Sequence, residues 1–455
     1  MKLWEKGIKV KDEIILFTAG KDRLTDVPLA PFDIIGSIAH VIMLESIKIL
    51  SFNEKNLLIK GLLEIYKKTV ASEFNINEGI EDVHSQLEKM LTEMLGEPGK
   101  KIHTARSRND QIITCLKLYY REQLSVIFNR IELLIEILLE KSEVSKEIII
   151  PGYTHTQSAM PSSAGLWFGA YAESLTEDLF MLNGAFKYTN QSPLGSAAGY
   201  GSSFPINREL TCDLLEFDSL HVNSINAQLS RGKTERYVMM AVTGVANTLA
   251  KLADDMVMFL CQNFDFMKLS DDLTTGSSIM PHKKNPDVLE LVRGKCNAIQ
   301  GKLSEVMFIT SGLTSGYHRD LQLLKQPVAE SLEELIGCLD ILCLIFPGIM
   351  FNENIMDKDI YKNLWSVDAI NEKVQEGIPF RDAYNLVALE INKGRFRPGR
   401  PVKHTHTGSI GNLSNNKIKE KLIKFKKETK LANYLNFRER FIEKILKENG
   451  TQKQT

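Results

Sequence analysis

The stretch VMMAVTGVANTLAKLADDMVMFL, residues 238–260, decides the fold. Wound at 3.6 residues per turn, it carries apolar or small side chains around most of its circumference, so it predicts a helix buried on nearly every face. Residues 237–250 hold no charge before Lys251, yet these fourteen residues fall short of the roughly 20 needed to cross a bilayer. The helix therefore belongs inside a protein core. Working outward, runs of the same kind cover residues 111–141, 162–190, 226–262, 287–310 and 326–344. At about 1.5 Å per residue they predict helices roughly 30 to 50 Å long, with sides that one copy of the chain can hardly cover alone. Association with further copies is the economical expectation. Strand signals are sparse, except for an alternating stretch at residues 7–17 that predicts a small hairpin.

Bulk properties exclude several classes. The 455 residues are 43% hydrophobic and 25% charged, with a formal charge of -1, which fits an ordinary globular chain and not a disordered one. No basic stripe with interleaved aromatics marks a nucleic-acid surface. The basic tract at residues 417–430 alternates with Ile, Leu and Phe, as a solvated helix face does. Six cysteines are scattered without CxxC spacing, mostly inside apolar runs, and read as buried free thiols. The opening MKLWEKGIKVKDEIILF lacks the apolar stretch and cleavage site of a signal peptide, so the cytoplasm is the expected compartment. Past residue 351 the chain turns loopier, with GIPF, GRFRPGRP and HTHTGS, which predicts a smaller C-terminal unit.

Four polar interruptions carry the chemistry, and a fifth short segment adds to them. HTARSRNDQ, residues 103–111, precedes the first long run. Ser107, Asn109 and Asp110 can cap that helix, and Arg106 and Arg108 offer forks that fit carboxylates. Capping accounts for one or two of these residues but not for two arginines, an amide and an acid together. PGYTHTQSAMPSS, residues 151–163, sets His155 between threonines just ahead of the second long run, where Thr154 and Gln157 can orient an imidazole or a carboxylate. SPLGSAAGYGSS, residues 192–203, reads equally as backbone that lets a ligand approach and as a flexible linker. GSSIMPHKKNPD, residues 276–287, combines a permissive Gly276 with the hydroxyls of Ser277 and Ser278 and the anion-binding pair Lys283 and Asn285. YHRDLQLLK, residues 317–325, adds Tyr317, Gln322 and Lys325 from one turn and helix start. Neither HExxH nor a Cys/His ligand spacing calls for a metal, and neither GxGxxG nor GxxxxGK[ST] calls for a nucleotide cofactor.

Taken together, GSSIMPHKKNP resembles the signature loop of the fumarase and aspartase superfamily, whose members eliminate fumarate from succinyl compounds. HTARSRNDQ, PGYTHTQ and SPLGSAAGYGSSFPINRE are similar to the argininosuccinate lyase branch, in order and spacing from about residue 33 to residue 411. The resemblance implies a mainly α subunit of three domains with a long central helical bundle, divided at residues 1–106, 107–351 and 352–455. It further implies a homotetramer with each active site built from three subunits, a mobile catalytic loop at residues 276–287, a small N-succinyl substrate and no cofactor. By the same resemblance Ser277 matches the general base and His155 the group near the leaving nitrogen. Arg108, Asn109, Thr154, Lys283, Asn285, Tyr317, Gln322 and Lys325 fall at substrate-binding positions. The chain departs from the branch pattern in having HTARSRNDQ for HTGRSRNDQ, THTQ for THLQ, MPHKKN for MPQKKN, LQLLK for LQEDK and PFRDAY for PFRxAH. The implied reaction is cleavage of argininosuccinate to arginine and fumarate. Release of fumarate from another N-succinyl amine such as adenylosuccinate, and a silent crystallin-like scaffold, stand as alternatives.

Overall fold

The computed structural model describes residues 11–397, 399 and 404–451. Helices lead the chain: α1 (Asp12–Ala19), α2 (Ala30–Ser46), α3 (Phe52–Val70) and α4 (Val83–Leu95). Next come α5 (Arg108–Val144), a hairpin of β1 (Ile149–Thr154) and β2 (Gln157–Ser163), α6 (Ala164–Thr189) and α7 (Ser224–Leu260). A two-residue ribbon, β3 (Thr275–Gly276) with β4 (Lys284–Asn285), then leads into α8 (Asp287–Ile309) and α9 (Lys325–Ile345). The C-terminal part carries α10 (Ser366–Gln375), α11 (Phe380–Asn392), α12 (Asn415–Glu428) and α13 (Phe437–Thr451). The long apolar runs thus became α5 to α9, with bounds shifted by a few residues. The hairpin expected over residues 7–17 did not: from Asp12 the chain is helical, and residues 7–10 lie outside the described residues.

α5, α6 and α7 start where a side chain satisfies free N–H groups, whereas α8 and α9 start without a side-chain cap. Ser107 and Asp110 form a reciprocal capping box at the head of α5, Ser163 Oγ accepts from the Leu166 N–H at 3.0 Å, and Asn223 accepts from Ile225 and Asn226. α7 is not continuous. Arg231 (ψ 132°) and Gly232 (φ 81°) break its helical geometry, and the break caps itself, because Glu235 accepts the Gly232 N–H at 2.7 Å and pairs with the buried Arg231. Only glycine suits this position, since a Cβ there would also lie 2.9 Å from Thr310 Cγ2.

The helices alternate in direction, so their ends gather in two places. At one end, Asp110 binds the loop after α6 through the N–H groups of Gly195 and Ala197, Gln228 reaches Ser196 Oγ at 3.2 Å, and Arg231 donates to the Leu321 carbonyl at 2.7 Å. At the other, Ser142 donates to the Gly165 carbonyl and Lys141 to that of Pro347, while Trp167, Phe168, Phe259, Phe266 and Phe351 pack ring against ring, in edge-to-face or tilted pairs. One core runs through both ends and takes in α2 to α9, α12 and α13. α2 belongs to the only segment of membrane-spanning length and apolarity among the described residues, residues 27–46, and it is 83% buried as a core helix. Ile370, Ala383, Val387 and Phe396 form a separate small core around α10 and α11. The basic tract is α12, whose Ile418, Leu422 and Phe425 face inward while its lysines face solvent. Of the six cysteines, Cys261 is exposed and Cys343 half-buried, so the reading of buried thiols holds for the other four.

Candidate active site

At the first end the N-terminal helices lean against the heads of α5 and α9 and leave a cavity of about 90 Å³. Arg108, Asn109, Tyr317, Gln322 and Lys325, all singled out in the sequence, line it together. Two turns and two helix starts bring them there. Arg108 and Asn109 are the first residues of α5 after the Ser107 cap, and a 3-10 turn (Arg319–Leu324) delivers Gln322 and hands over to α9 at Lys325. The buried guanidinium of Arg231 fixes that turn through the Leu321 carbonyl. Gln322 Nε2 donates to Tyr317 Oη at 2.7 Å, which sets the orientation of both.

The cavity wall also contains residues that the sequence reading missed: Asp26, Asp82, His84 and Arg319. They complete an alternating ion network. Lys325, 4% exposed, places Nζ 2.5 Å from Asp26 Oδ1 and 3.2 Å from Asp22 Oδ1. Arg108 reaches Glu81 at 3.1 Å and Asp82 at 3.3 Å, and Arg319 reaches Glu81 at 2.7 Å. Burial alone would raise the carboxyl pKa values of Glu81 and Asp82. The cations beside them outweigh it, Arg319 chiefly for Glu81 and His84 and Arg108 for Asp82, so both stay below their ordinary range. The opposite holds for Asp22, where burial outweighs Lys325 and raises the carboxyl. A sequence signal did exist, since KDRLTD (residues 21–26) and EDVH (residues 81–84) each crowd charges next to an apolar helix.

Ser277, His155, Thr154, Lys283 and Asn285 do not join this cavity. His155 and Thr156 form the two-residue turn of the β1–β2 hairpin, both at positive φ (52° and 58°), and Thr154 and His155 are exposed. His155 therefore sits on a hairpin tip and not at a helix start as the sequence suggested; the paired strands contain Pro151, Gly152 and Pro161, which hid them. Ser277 lies on the loop between β3 and β4 just before α8, where its Oγ accepts the Met280 N–H at 3.1 Å and the Ile279 N–H at 3.4 Å. Lys283 on that loop is exposed and Asn285, within β4, is half-buried. Gly276 keeps ordinary strand geometry, with open space where a Cβ would stand, so its conformational freedom is not what this loop shape uses.

The spacing between the groups follows from helix length. The loop bearing Ser277 enters α8 at its first residue, and the Gly232–Thr310 contact near the cavity follows its last. The 23 residues of α8 span about 34 Å, so one chain holds Ser277 and the cavity a helix length apart. Two other sequence candidates have structural work. Asp110, its carboxyl pushed up by burial to about 6, accepts N–H groups from Ser107, Gly195 and Ala197. That bonding makes residues 192–203 an anchored loop instead of a flexible linker. Arg106, buried, points to Ser37 at 3.0 Å within the N-terminal helices.

A long-helix bundle with a signature loop at one end and a polar cavity at the other defines a class of lyase, and the comparisons agree. Residues 34–301 match the lyase family. The chain is 53% identical to the argininosuccinate lyase of Parabacteroides distasonis over 92% of this chain and 94% of that one. It is 39% identical to the argininosuccinate lyase of Thermotoga neapolitana over 86% and 98%. In fold it matches an EDDS lyase in complex with formate (TM-score 0.81, 22% identity, 98% and 96% covered) and a class II fumarase from Schistosoma mansoni (TM-score 0.71, 17% identity, 94% and 97% covered). The chain belongs to the lyase family, in its argininosuccinate lyase branch. It is a carbon–nitrogen lyase of mainly α fold.

Proposed function

We propose that this enzyme cleaves argininosuccinate to arginine and fumarate. The observation that carries the reading is the 53% identity to curated argininosuccinate lyases over nearly the whole chain. Ser277 takes the proton from the carbon beside a substrate carboxylate; the C–H electron pair becomes the fumarate double bond, the C–N pair leaves with nitrogen, and nitrogen is protonated with His155 as the nearby acid group. Two N–H groups donated to Ser277 Oγ support this role, because hydrogen bonds to the charged form of a hydroxyl favour it. Lys283 and Asn285 meet the negative charge that builds as the proton leaves. Arg108, Asn109, Thr154, Tyr317, Gln322 and Lys325 hold the substrate.

The helix-length gap within one chain supports a homotetramer in which a loop, a hairpin tip and a cavity from different copies meet. Exposed Phe180, Leu291, Phe308 and Leu344 on the bundle helices support the same assembly. Part of this reading are the cytoplasm as compartment and a division at residues 1–106, 107–351 and 352–455; the capped start of α5 supports the first boundary and the separate small core the second. A substrate panel followed by the ultraviolet absorbance of fumarate tests the function. Product from argininosuccinate alone is expected. Product from adenylosuccinate or another N-succinyl amine moves the assignment to that leaving group, and silence with every substrate indicates a scaffold.

A further inference from the structure

The helix that closes the sequence reaches back to the end of the molecule where the cavity lies. After α12 a 3-10 turn (Leu431–Tyr434) leads into α13, which packs on α2 and sends Phe437, Phe441 and Ile445 into the main core. Arg121 of α5, 1% exposed, anchors this turn. Its guanidinium lies over the rings of Phe217, Tyr434 and Phe437 at 4.6, 4.3 and 4.5 Å and donates to Asn190 Oδ1 at 2.9 Å and to the Glu216 carbonyl at 3.1 Å. Tyr434 Oη donates to the same carbonyl at 2.7 Å. A buried cation among three aromatic faces and two acceptors gives the start of α13 one place on the bundle.

Arg438, in the first turn of α13, uses that place. It forks onto the buried Glu122 of α5, with Nε 2.7 Å from Oε2 and Nη2 2.7 Å from Oε1. The same guanidinium stands 5.1 Å over the ring of Phe32. Phe32 belongs to the first turn of α2, is 2% exposed, and meets Tyr119 of α5 edge to face with centroids 5.6 Å apart. The ring is therefore lodged between two helices, and the fork on Glu122 fixes the lid over it. Only a single 3-10 turn (Val27–Leu29) lies between the start of α2 and Asp26, whose Oδ1 holds Lys325 Nζ at 2.5 Å. Arg438 itself does not line the cavity. It reaches Lys325 by a chain of contacts through Phe32 and Asp26.

We infer that Arg438 is a positioning residue: through Phe32 it fixes the first turn of α2, and with it the Asp26 carboxylate that sets the Lys325 ammonium for substrate. This rests on the function proposed above, and wild-type turnover of argininosuccinate tests that function separately: silence there removes the function, whereas an active wild type with an unmoved variant removes this inference alone. With the wild type active, Arg438→Met should raise KM about threefold or more and leave kcat within about twofold, because holding of the substrate is loosened while the groups that move protons are untouched. Arg438→Lys keeps a cation near the ring without the fork, so its KM should fall between the two. Arg440→Met, which breaks only an exposed pair with Glu216 at 3.4 Å, should keep the wild-type KM. A wild-type KM in Arg438→Met, or an equal rise in Arg440→Met, overturns the inference. Arg438→Met leaves Glu122 buried without its partner; should that variant fail to fold, the wild type decides. Arginine, at a concentration that saturates product inhibition, should slow amide hydrogen exchange in residues 22–34 and in residues 437–446 together, and no slowing in the second stretch overturns it.

Discussion

Replacing Lys117 by methionine should make the protein more stable at neutral pH. Lys117 lies on α5 inside the bundle, 1% exposed, with Nζ 3.5 Å from the carbonyls of Tyr188 and Thr189 and 5.2 Å from the Tyr188 ring. Those contacts are long for an ammonium, and burial brings its pKa down to about 7 against a weaker opposing pull from Glu235. An unfolded lysine titrates near 10.4. Between these values the unfolded chain holds a proton that the folded chain gives up, so stability rises with pH through that interval and carries the whole penalty below it. At 1.36 kcal/mol per pH unit the interval is worth about 5 kcal/mol. Methionine keeps the length and removes the charge, while the two carbonyls lose a partner at about 1 to 3 kcal/mol. The expected net gain is therefore about 2 to 4 kcal/mol near pH 7, shrinking as pH approaches about 10. Urea denaturation of both proteins, at one fixed protein concentration, measures it across the pH range. A Lys117→Met protein less stable at neutrality, or a gap that does not narrow with pH, refutes the reasoning.

Other consequences are equally direct. Ser277→Ala should lower turnover by about three orders of magnitude or more while equilibrium binding of argininosuccinate changes little; retained turnover removes Ser277 as the base. Inactive Ser277→Ala and His155→Asn subunits, mixed under conditions of proven subunit exchange, should recover part of the wild-type rate, and no recovery counts against sites shared between copies. Arg231→Met should cost about 3 to 5 kcal/mol in denaturation, because it leaves Glu235 buried without its partner. The same change frees the turn that carries Gln322 and should raise KM in steady-state kinetics; an unaltered KM would show that the turn is held by other contacts.

The sequence made the bundle legible because its signal is long. Helical periodicity over residues 226–262 or 287–310 repeats many times, and the observed α7 and α8 depart from those runs by two residues or fewer at each end. Short features were hidden where local rules conflict. β1 and β2 pair despite their prolines, a two-residue turn at His155 and Thr156 lacks the usual glycine or asparagine, and β3 and β4 are two residues each. The break at Arg231 and Gly232 was invisible because Glu235 makes sense of it only in three dimensions. Of the candidate site, Arg108, Asn109, Tyr317, Gln322 and Lys325 were found as polar interruptions, and the structure brings them together at one cavity. His84, Asp26 and Asp82 were missed because charges at the edge of an apolar helix look like ordinary caps, and only packing turns them inward.

The length of α8 has a consequence for how such chains can change. Adding one heptad to it would preserve its buried stripe yet carry the Ser277 loop about 10 Å away from its present level. Every antiparallel neighbour would then need the same increment, in the same register, before the loop and the cavity again closed off the two ends of one bundle. Drift in chain length is thereby confined to the connections and the outer C-terminal segment, and the rods between the two ends work as a common gauge.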